Sequence, residues 1–212
     1  MDDRTDQDFS ARVLAGYEEV GADWIEQSEQ IDCAELFAPV LAFLPDRPSL
    51  IADIGAGTGR DAAWLARKGH QVTAVEPVAR LRNAGIAIHS ALSIEWIDDR
   101  LPELSQLSPQ RSFDCMLLIG VWQHLDLKSR PLAMARLSTL LGQQGTLILP
   151  LRHGPGALSR PVIAIDVEET IGQADQAGLA LATRVEAQSL QEANRRAGVT
   201  WTWLAFRKTT EA

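Results

Sequence analysis

The chain of 212 residues is short of several residue types, and each shortage removes a class of protein. Cysteine occurs twice, at Cys33 and Cys115. Two isolated thiols build neither a disulfide framework nor a zinc knuckle. His, Asp and Glu form no cluster at metal-ligand spacing either, so no metal is expected. Basic residues number 20 against 28 acidic ones, a net charge of −8. Such a surface repels a phosphate backbone, which argues against a nucleic-acid partner. Long apolar runs are missing. The longest, residues 115–122, falls far below the roughly 20 residues that cross a bilayer, so no membrane association is expected. The opening MDDRTDQDFS has no basic stretch leading into an apolar one. No secretory signal is therefore expected, and a cytoplasmic location is the expectation. What remains is 46% apolar, enough to bury a full core in one large domain.

The first 45 residues hold no β-branched run. Val13, Leu14, Tyr17, Val20, Trp24 and Ile25 recur at helical spacing, as do Leu36, Val40 and Leu41. This predicts two helices, ending at Pro45-Asp46-Arg47-Pro48. From residue 46 strands and helices alternate. Strands are expected at 50–54, 71–76, 94–97, 113–119, 146–151, 179–187 and 199–206. Helices are expected at 60–68, through Leu81, from Pro131 to the glycines 142 and 145, and at 168–177. Strands separated by helices imply parallel pairing. The 113–119 segment, the most apolar, belongs at the centre. Residues 191–198 leave room only for a loop or a single turn, so the last two strands are expected to pair antiparallel at the sheet edge. The prediction is an α/β fold with seven strands, helices on both faces and an N-terminal helical cap of residues 1–45 on a domain of residues 46–212.

The most informative segment is Asp53-Ile54-Gly55-Ala56-Gly57-Thr58-Gly59. A strand runs into a glycine-rich turn and then a helix. Glycines admit close approach of a ligand to the backbone, and the helix start offers free amides and a positive dipole end. Glu76 ends the second strand, where an acid accepts the ribose hydroxyls of an adenosine-type ligand. The dinucleotide fingerprint G-x-G-x-x-G/A fails, because position 60 is Arg. The pattern present, D-x-G-x-G-x-G, resembles the first motif of the class I S-adenosylmethionine (SAM)-dependent methyltransferases. The resemblance covers residues 48–208. It includes Phe113-Asp114 at the fourth strand, Trp122-Gln123-His124-Leu125 after it and Gly145-Thr146-Leu147 in the fifth. It is to the small bacterial single-domain type.

The resemblance implies a Rossmann-like sheet with one antiparallel edge strand and SAM as cofactor. Asp53, Gly55, Gly57, Gly59 and Glu76 would hold that cofactor. Asp98 or Asp99, after the third strand, would contact adenine. Arg60 is placed to reach the methionine carboxylate, and Tyr17 to close over the cofactor. Trp122, Trp24 and Arg152 fall where an acceptor would sit, Arg152 suiting an anionic one. Methyl transfer is an in-line attack on an electrophilic carbon, so alignment and exclusion of water dominate. Where the acceptor must lose a proton, His124 and His153 are the candidate bases, since both follow strands at the ligand-binding edge. The expected activity is methylation of a small molecule. Three rivals stand beside it: a SAM-binding module without catalysis, methylation of a protein, and a nicotinamide-dependent oxidoreductase, which the failed fingerprint disfavours.

Overall fold

A computed structural model describes residues 3–108 and 110–209. The first two residues of the expected cap and the last three of the expected domain lie outside the described residues. The chain opens with helices α1 (Asp3–Glu18), α2 (Ala22–Glu29) and α3 (Cys33–Leu36), then a 3-10 helix over Ala38–Phe43. Strand β1 (Leu50–Ile54) leads to α4 (Arg60–Arg67), β2 (Gln71–Val75), α5 (Ala79–Ile88) and β3 (Ile94–Ile97). Next come β4 (Phe113–Leu117), a short 3-10 turn (Trp122–His124), α6 (Ser129–Leu140) and β5 (Leu141–His153). The chain continues through α7 (Val167–Gln176), β6 (Leu179–Gln188), α8 (Glu192–Arg196) and β7 (Thr200–Lys208). Among the described residues no helix is long and apolar enough to cross a membrane.

The strands form one sheet ordered β3-β2-β1-β4-β5-β7-β6. The first five pair in parallel, while β7 runs antiparallel to both β5 and β6 and separates them. β4 is the middle strand, as its apolar content predicts. Its side chains alternate between two fully buried layers. Met116 packs with Leu104, Met134, Leu137 and Phe206 on one face, and Cys115 and Leu117 pack with Phe37, Ile51, Leu65 and Trp203 on the other. A parallel sheet covered on both faces needs this double burial. Asp114, the polar residue of the strand, accepts the Leu50 amide at 2.8 Å and ties β4 to the start of β1.

The N-terminal segment departs from the two expected helices. Gly21, extended at φ −78° and ψ 172°, interrupts the apolar repeat between Val20 and Ala22. Asp32 starts another helix by accepting the Ala34 and Glu35 amides at 2.7 and 3.2 Å. Local capping thus overrides a continuous helical spacing. β5 also begins five residues before the expected 146, so Gly142 and Gly145 lie inside the strand, and a register shift between Phe113 and Cys115 absorbs the extra length. Residues 191–198 do form a single helical turn, α8.

Residues 33–43 belong to the core of the sheet. Phe37 is fully buried, its ring stacked on Trp64 at 5.4 Å and edge-on to Trp203 at 6.0 Å. Phe37→Ala should therefore cost about 3–5 kcal/mol in urea unfolding. Leu41→Ala, at a side chain 49% exposed, should stay within about 0.5 kcal/mol. A small effect at Phe37 would mean that this segment is not part of the core.

Candidate active site

The carboxyl ends of β1, β2, β4 and β5 open on a cavity of about 800 Å3. That is in the upper part of the roughly 300–1,000 Å3 range of small-molecule sites. Its floor begins with Asp53 and the turn Gly55, Ala56, Gly57 and Thr58. Gly55 and Gly57 take φ of +71° and +59°, which side chains resist. A Cβ on Gly55 would lie 2.5 Å from Val121, whereas one on Gly57 would meet no protein atom within 4 Å. Gly57 thus leaves backbone open towards the cavity. Gly59 does not line it. A Cβ there would run into the Trp96 ring at 2.5 Å, so this glycine serves packing against β3.

Two buried carboxylates flank the turn. Asp53 is 2% exposed, takes the Ala62 amide, and has an Oδ2 with no hydrogen-bond partner. Burial pushes its pKa well above the usual carboxylate range. Glu76 accepts the Gly57 amide at 2.7 Å and the Val78 amide at 2.8 Å. Burial still raises its pKa to about 7. Arg60 also lines the cavity, but its Nε and Nη2 reach Asp61 at 2.8 Å each, and Nη1 donates to the Ser28 carbonyl.

Tyr17, Trp24, His124, Arg152 and Arg160 also line the cavity, with Tyr17 and Trp24 packed on Val78 and Leu81. Tyr17 Oη lies 3.1 Å from His124 Nε2, and His124 Nδ1 lies 3.0 Å from the Pro161 carbonyl. A carbonyl only accepts, so Nδ1 carries the proton and Nε2 accepts from the tyrosine hydroxyl. Burial lowers the His124 pKa to about 4 and raises that of Tyr17. The Arg160 guanidinium carbon lies 5.1 Å from the Tyr17 ring centre and 5.4 Å from that of Trp24. Sequence reasoning missed Arg160, because it lies in an irregular segment after β5 with no periodic signal.

Several expected site residues lie elsewhere. Trp122 is fully buried in the core beside Leu118 and Leu125, not at the cavity. His153 also misses the cavity. Pro150 and Arg152 of β5 face it, and the two-residue period of the strand sends His153 to the other face, where Nε2 meets Thr202 Oγ1 at 2.8 Å. Neither Asp98 nor Asp99 lines the cavity. Asp98 turns outward to Arg82 at 2.8 Å, and Asp99 accepts the Arg100 and Gln106 amides at 2.8 and 2.7 Å. Arg100 and Leu101, from the same segment, line it instead. Among the described residues no group of three His, Cys, Asp or Glu side chains is placed to hold a metal.

A family model described as a methyltransferase domain matches residues 27–209. The chain belongs to this methyltransferase family. An uncharacterized methyltransferase of Alkaliphilus oremlandii (strain OhILAs) is 27% identical over 103 residues, 49% of this chain and 45% of that protein, so the chain matches less than half of that relative's length. Among solved structures, the 1,6-didemethyltoxoflavin-N1-methyltransferase of Burkholderia thailandensis is similar at a TM-score of 0.73 and 21% identity, over 97% of this chain and 91% of that one. It holds 1,6-didemethyltoxoflavin and S-adenosylhomocysteine. The N-methyltransferase NodS of Bradyrhizobium japonicum WM9, in complex with S-adenosylhomocysteine, is similar at 0.69 and 18% identity, over 95% and 99%. At these identities the likeness is one of fold.

In this methyltransferase domain the first two helices roof the cavity through four anchors. Glu18 accepts the Ala79 and Arg80 amides at 2.8 and 3.2 Å and so caps α5. Gly16 packs so closely on the Ser159 carbonyl that a Cβ would overlap it. Tyr17 reaches His124, and Glu29 accepts the Thr58 hydroxyl of the glycine turn.

The raised acids set a pH dependence. The unfolded Glu76 releases its proton near pH 4.5, the folded one near 7. Stability therefore falls as pH rises across that window, and the penalty persists above it. Asp53 acts in the same direction. Burial of His124, which holds its pKa near 4, works the other way across the same window. The calorimetric melting temperature of the ligand-free protein, taken relative to that of Glu76→Gln, should therefore fall from pH 4.5 to 7. Asp53→Asn should raise it at pH 8; an unchanged or lower value would contradict the buried, uncompensated charge.

Proposed function

We propose that this methyltransferase domain moves the methyl group of SAM to a small-molecule acceptor. The observation that carries the reading is Asp53 Oδ2, a buried carboxylate oxygen without a partner at the cavity wall beside a glycine turn. An ammonium group suits such an oxygen, and the methionine moiety of SAM has one. Glu76 would accept the ribose hydroxyls, and Gly57 would let the ligand lie close to the backbone. Arg100 and Leu101, following β3, line the side assigned to adenine. Arg60 is committed to Asp61 and Ser28, and no contact with the cofactor is assigned to it. When bound, the cofactor supplies a methyl group on a sulfonium that needs no further activation.

The chain's part is alignment and exclusion of water. The Tyr17 hydroxyl gives its proton to a hydrogen bond with His124, so its oxygen lone pairs are available to an acceptor N–H or O–H. His124 acts through Tyr17 as a positioning residue rather than as a direct base. With a pKa near 4 it is neutral and weakly basic at ordinary pH. An acceptor already nucleophilic near neutrality suits this arrangement better than one that must first be deprotonated. The roof of α1, α2 and residues 154–165 favours a small molecule over a residue on a protein surface. We assign the cover of the cavity to α1 and α2, since residues 33–43 belong to the core.

Calorimetric titration tests the cofactor. SAM and S-adenosylhomocysteine should bind and raise the melting temperature, while NAD and ATP should not; NAD binding without SAM binding would overturn the reading. Glu76→Ala should weaken SAM binding at least roughly tenfold. Wild-type affinity should also fall as pH drops below about 7, because protonation removes the acceptor.

An acceptor screen read by S-adenosylhomocysteine release gives the turnover assay for the dyad. Tyr17→Phe and His124→Ala should each lower turnover by about 10–100-fold. SAM affinity should stay nearly constant, and the profile should show no imidazole inflection near pH 6.5. Full turnover in both variants would remove the positioning role.

A further inference from the structure

The cavity is electrically polarised along the sheet edge. Its acidic side, Asp53 and Glu76, follows β1 and β2. Its basic side holds Arg152 on β5 and Arg160 in the segment behind it. β4 separates β1 from β5, which puts two strand spacings, about 10 Å, between the strands of Asp53 and Arg152. Both guanidiniums act electrostatically on Tyr17 and on His124, so they flank the residues assigned to the acceptor.

Among the described residues no carboxylate pairs with either arginine. Arg152 donates only to the Gly154 carbonyl, at 3.2 Å. Burial lowers its pKa, the direction of a cation that no nearby anion offsets. The Arg160 guanidinium lies against the rings of Tyr17 and Trp24. Among the described residues no carbonyl or carboxylate takes its N–H groups, which leaves them to an acceptor in the cavity. The chain carries a net charge of −8 and pairs its other buried arginine at the cavity, Arg60, with Asp61. Two cations left unpaired in a half-buried pocket of such a chain need a separate reason.

We infer that the acceptor carries an anionic oxygen group, a carboxylate or a phosphate, held by Arg152 and Arg160 next to Tyr17. The inference rests on the methyltransferase reading of the cavity and narrows its substrate class. The forked donors of arginine match two oxygens of such a group. Tyr17, Trp24 and Trp201 supply flat apolar walls beside it, which suits a planar or apolar body on the acceptor. The anionic group is the handle, and the reacting atom lies on the Tyr17 side towards the sulfonium.

The test uses the protein loaded with S-adenosylhomocysteine, titrated calorimetrically with benzoate, phenyl phosphate and the neutral twin benzamide. At least one anion should bind about tenfold more tightly than benzamide. The preferred anion identifies the source, carboxylate or phosphate. Its affinity should fall as salt rises. Arg152→Leu and Arg160→Leu should each weaken the anion about fivefold or more, with Arg160→Lys restoring part of the loss. Benzamide binding and S-adenosylhomocysteine affinity should hold, which also shows that the variants fold. Benzamide binding as tightly as both anions, no anion binding at about 10 mM, or anion affinity unchanged in both leucine variants would overturn the inference. So would loss of S-adenosylhomocysteine affinity with anion binding intact, since the arginines would then hold the cofactor. The same anion titration on unloaded protein keeps the two readings apart. If S-adenosylhomocysteine fails to bind but the anion still depends on both arginines, the cofactor assignment falls and the anion site stands.

Discussion

The carboxylate of Glu76 holds the open edge of the sheet together. One oxygen takes the amide of Gly57, in the turn after β1, and the other takes the amide of Val78, at the start of α5. A single side chain thus fixes the glycine turn against the neighbouring strand and sets where α5 begins. Glu18 of the roof then caps that same helix. The arrangement sets an expensive condition, because Glu76 and Asp53 place two acids in a dry corner where, among the described residues, neither forms an ion pair, although Arg60 and Arg82 lie near enough to act on them. Backbone amides offset part of the desolvation, and the rest remains as a raised pKa on each acid.

The Tyr17–His124 contact stands between this acidic corner and the two arginines. It joins the roof to the segment after β4 and depends on a third contact, the Pro161 carbonyl that fixes the imidazole tautomer. Roof, strand edge and the segment after β5 therefore meet at one hydrogen-bonded chain. The cavity is thus lined from several directions of the fold at once.

Much of this was legible in the sequence. Asp53, the glycine turn and Glu76 were readable because strand, turn and acid occur in fixed order, and parallel neighbours bring them together whatever the details of packing. The central position of β4 followed from its unbroken apolar run. The failures have physical causes as well. Trp122 sits one residue from two that line the cavity, and in a tight 3-10 turn adjacent side chains point in different directions. His153 follows Arg152 in an extended strand and must take the opposite face. Asp98 and Asp99 lie in the right segment, but their oxygens go to Arg82 and to loop amides, a competition that no linear pattern reveals. Arg160 and Gly16 gain their meaning from contacts across the cavity, with Tyr17 and Ser159 respectively.

The strands differ in length across the sheet. β1 to β4 have four or five residues, whereas β5, β6 and β7 have 13, 10 and 9. An antiparallel ladder can grow outward rung by rung, since each added pair brings its own backbone hydrogen bonds and needs no helix to cross over. Short parallel strands have no such freedom, because their connections are tied to the turn and to α4 and α5. Arg152 and Trp201 face one another at the far end of the extensible ladder. The β6–α8–β7 connection beside them can therefore lengthen without changing the crossovers that fix the turn of Asp53. The parallel strands are bound to their crossover helices, while the antiparallel edge is limited only by the length of its ladder.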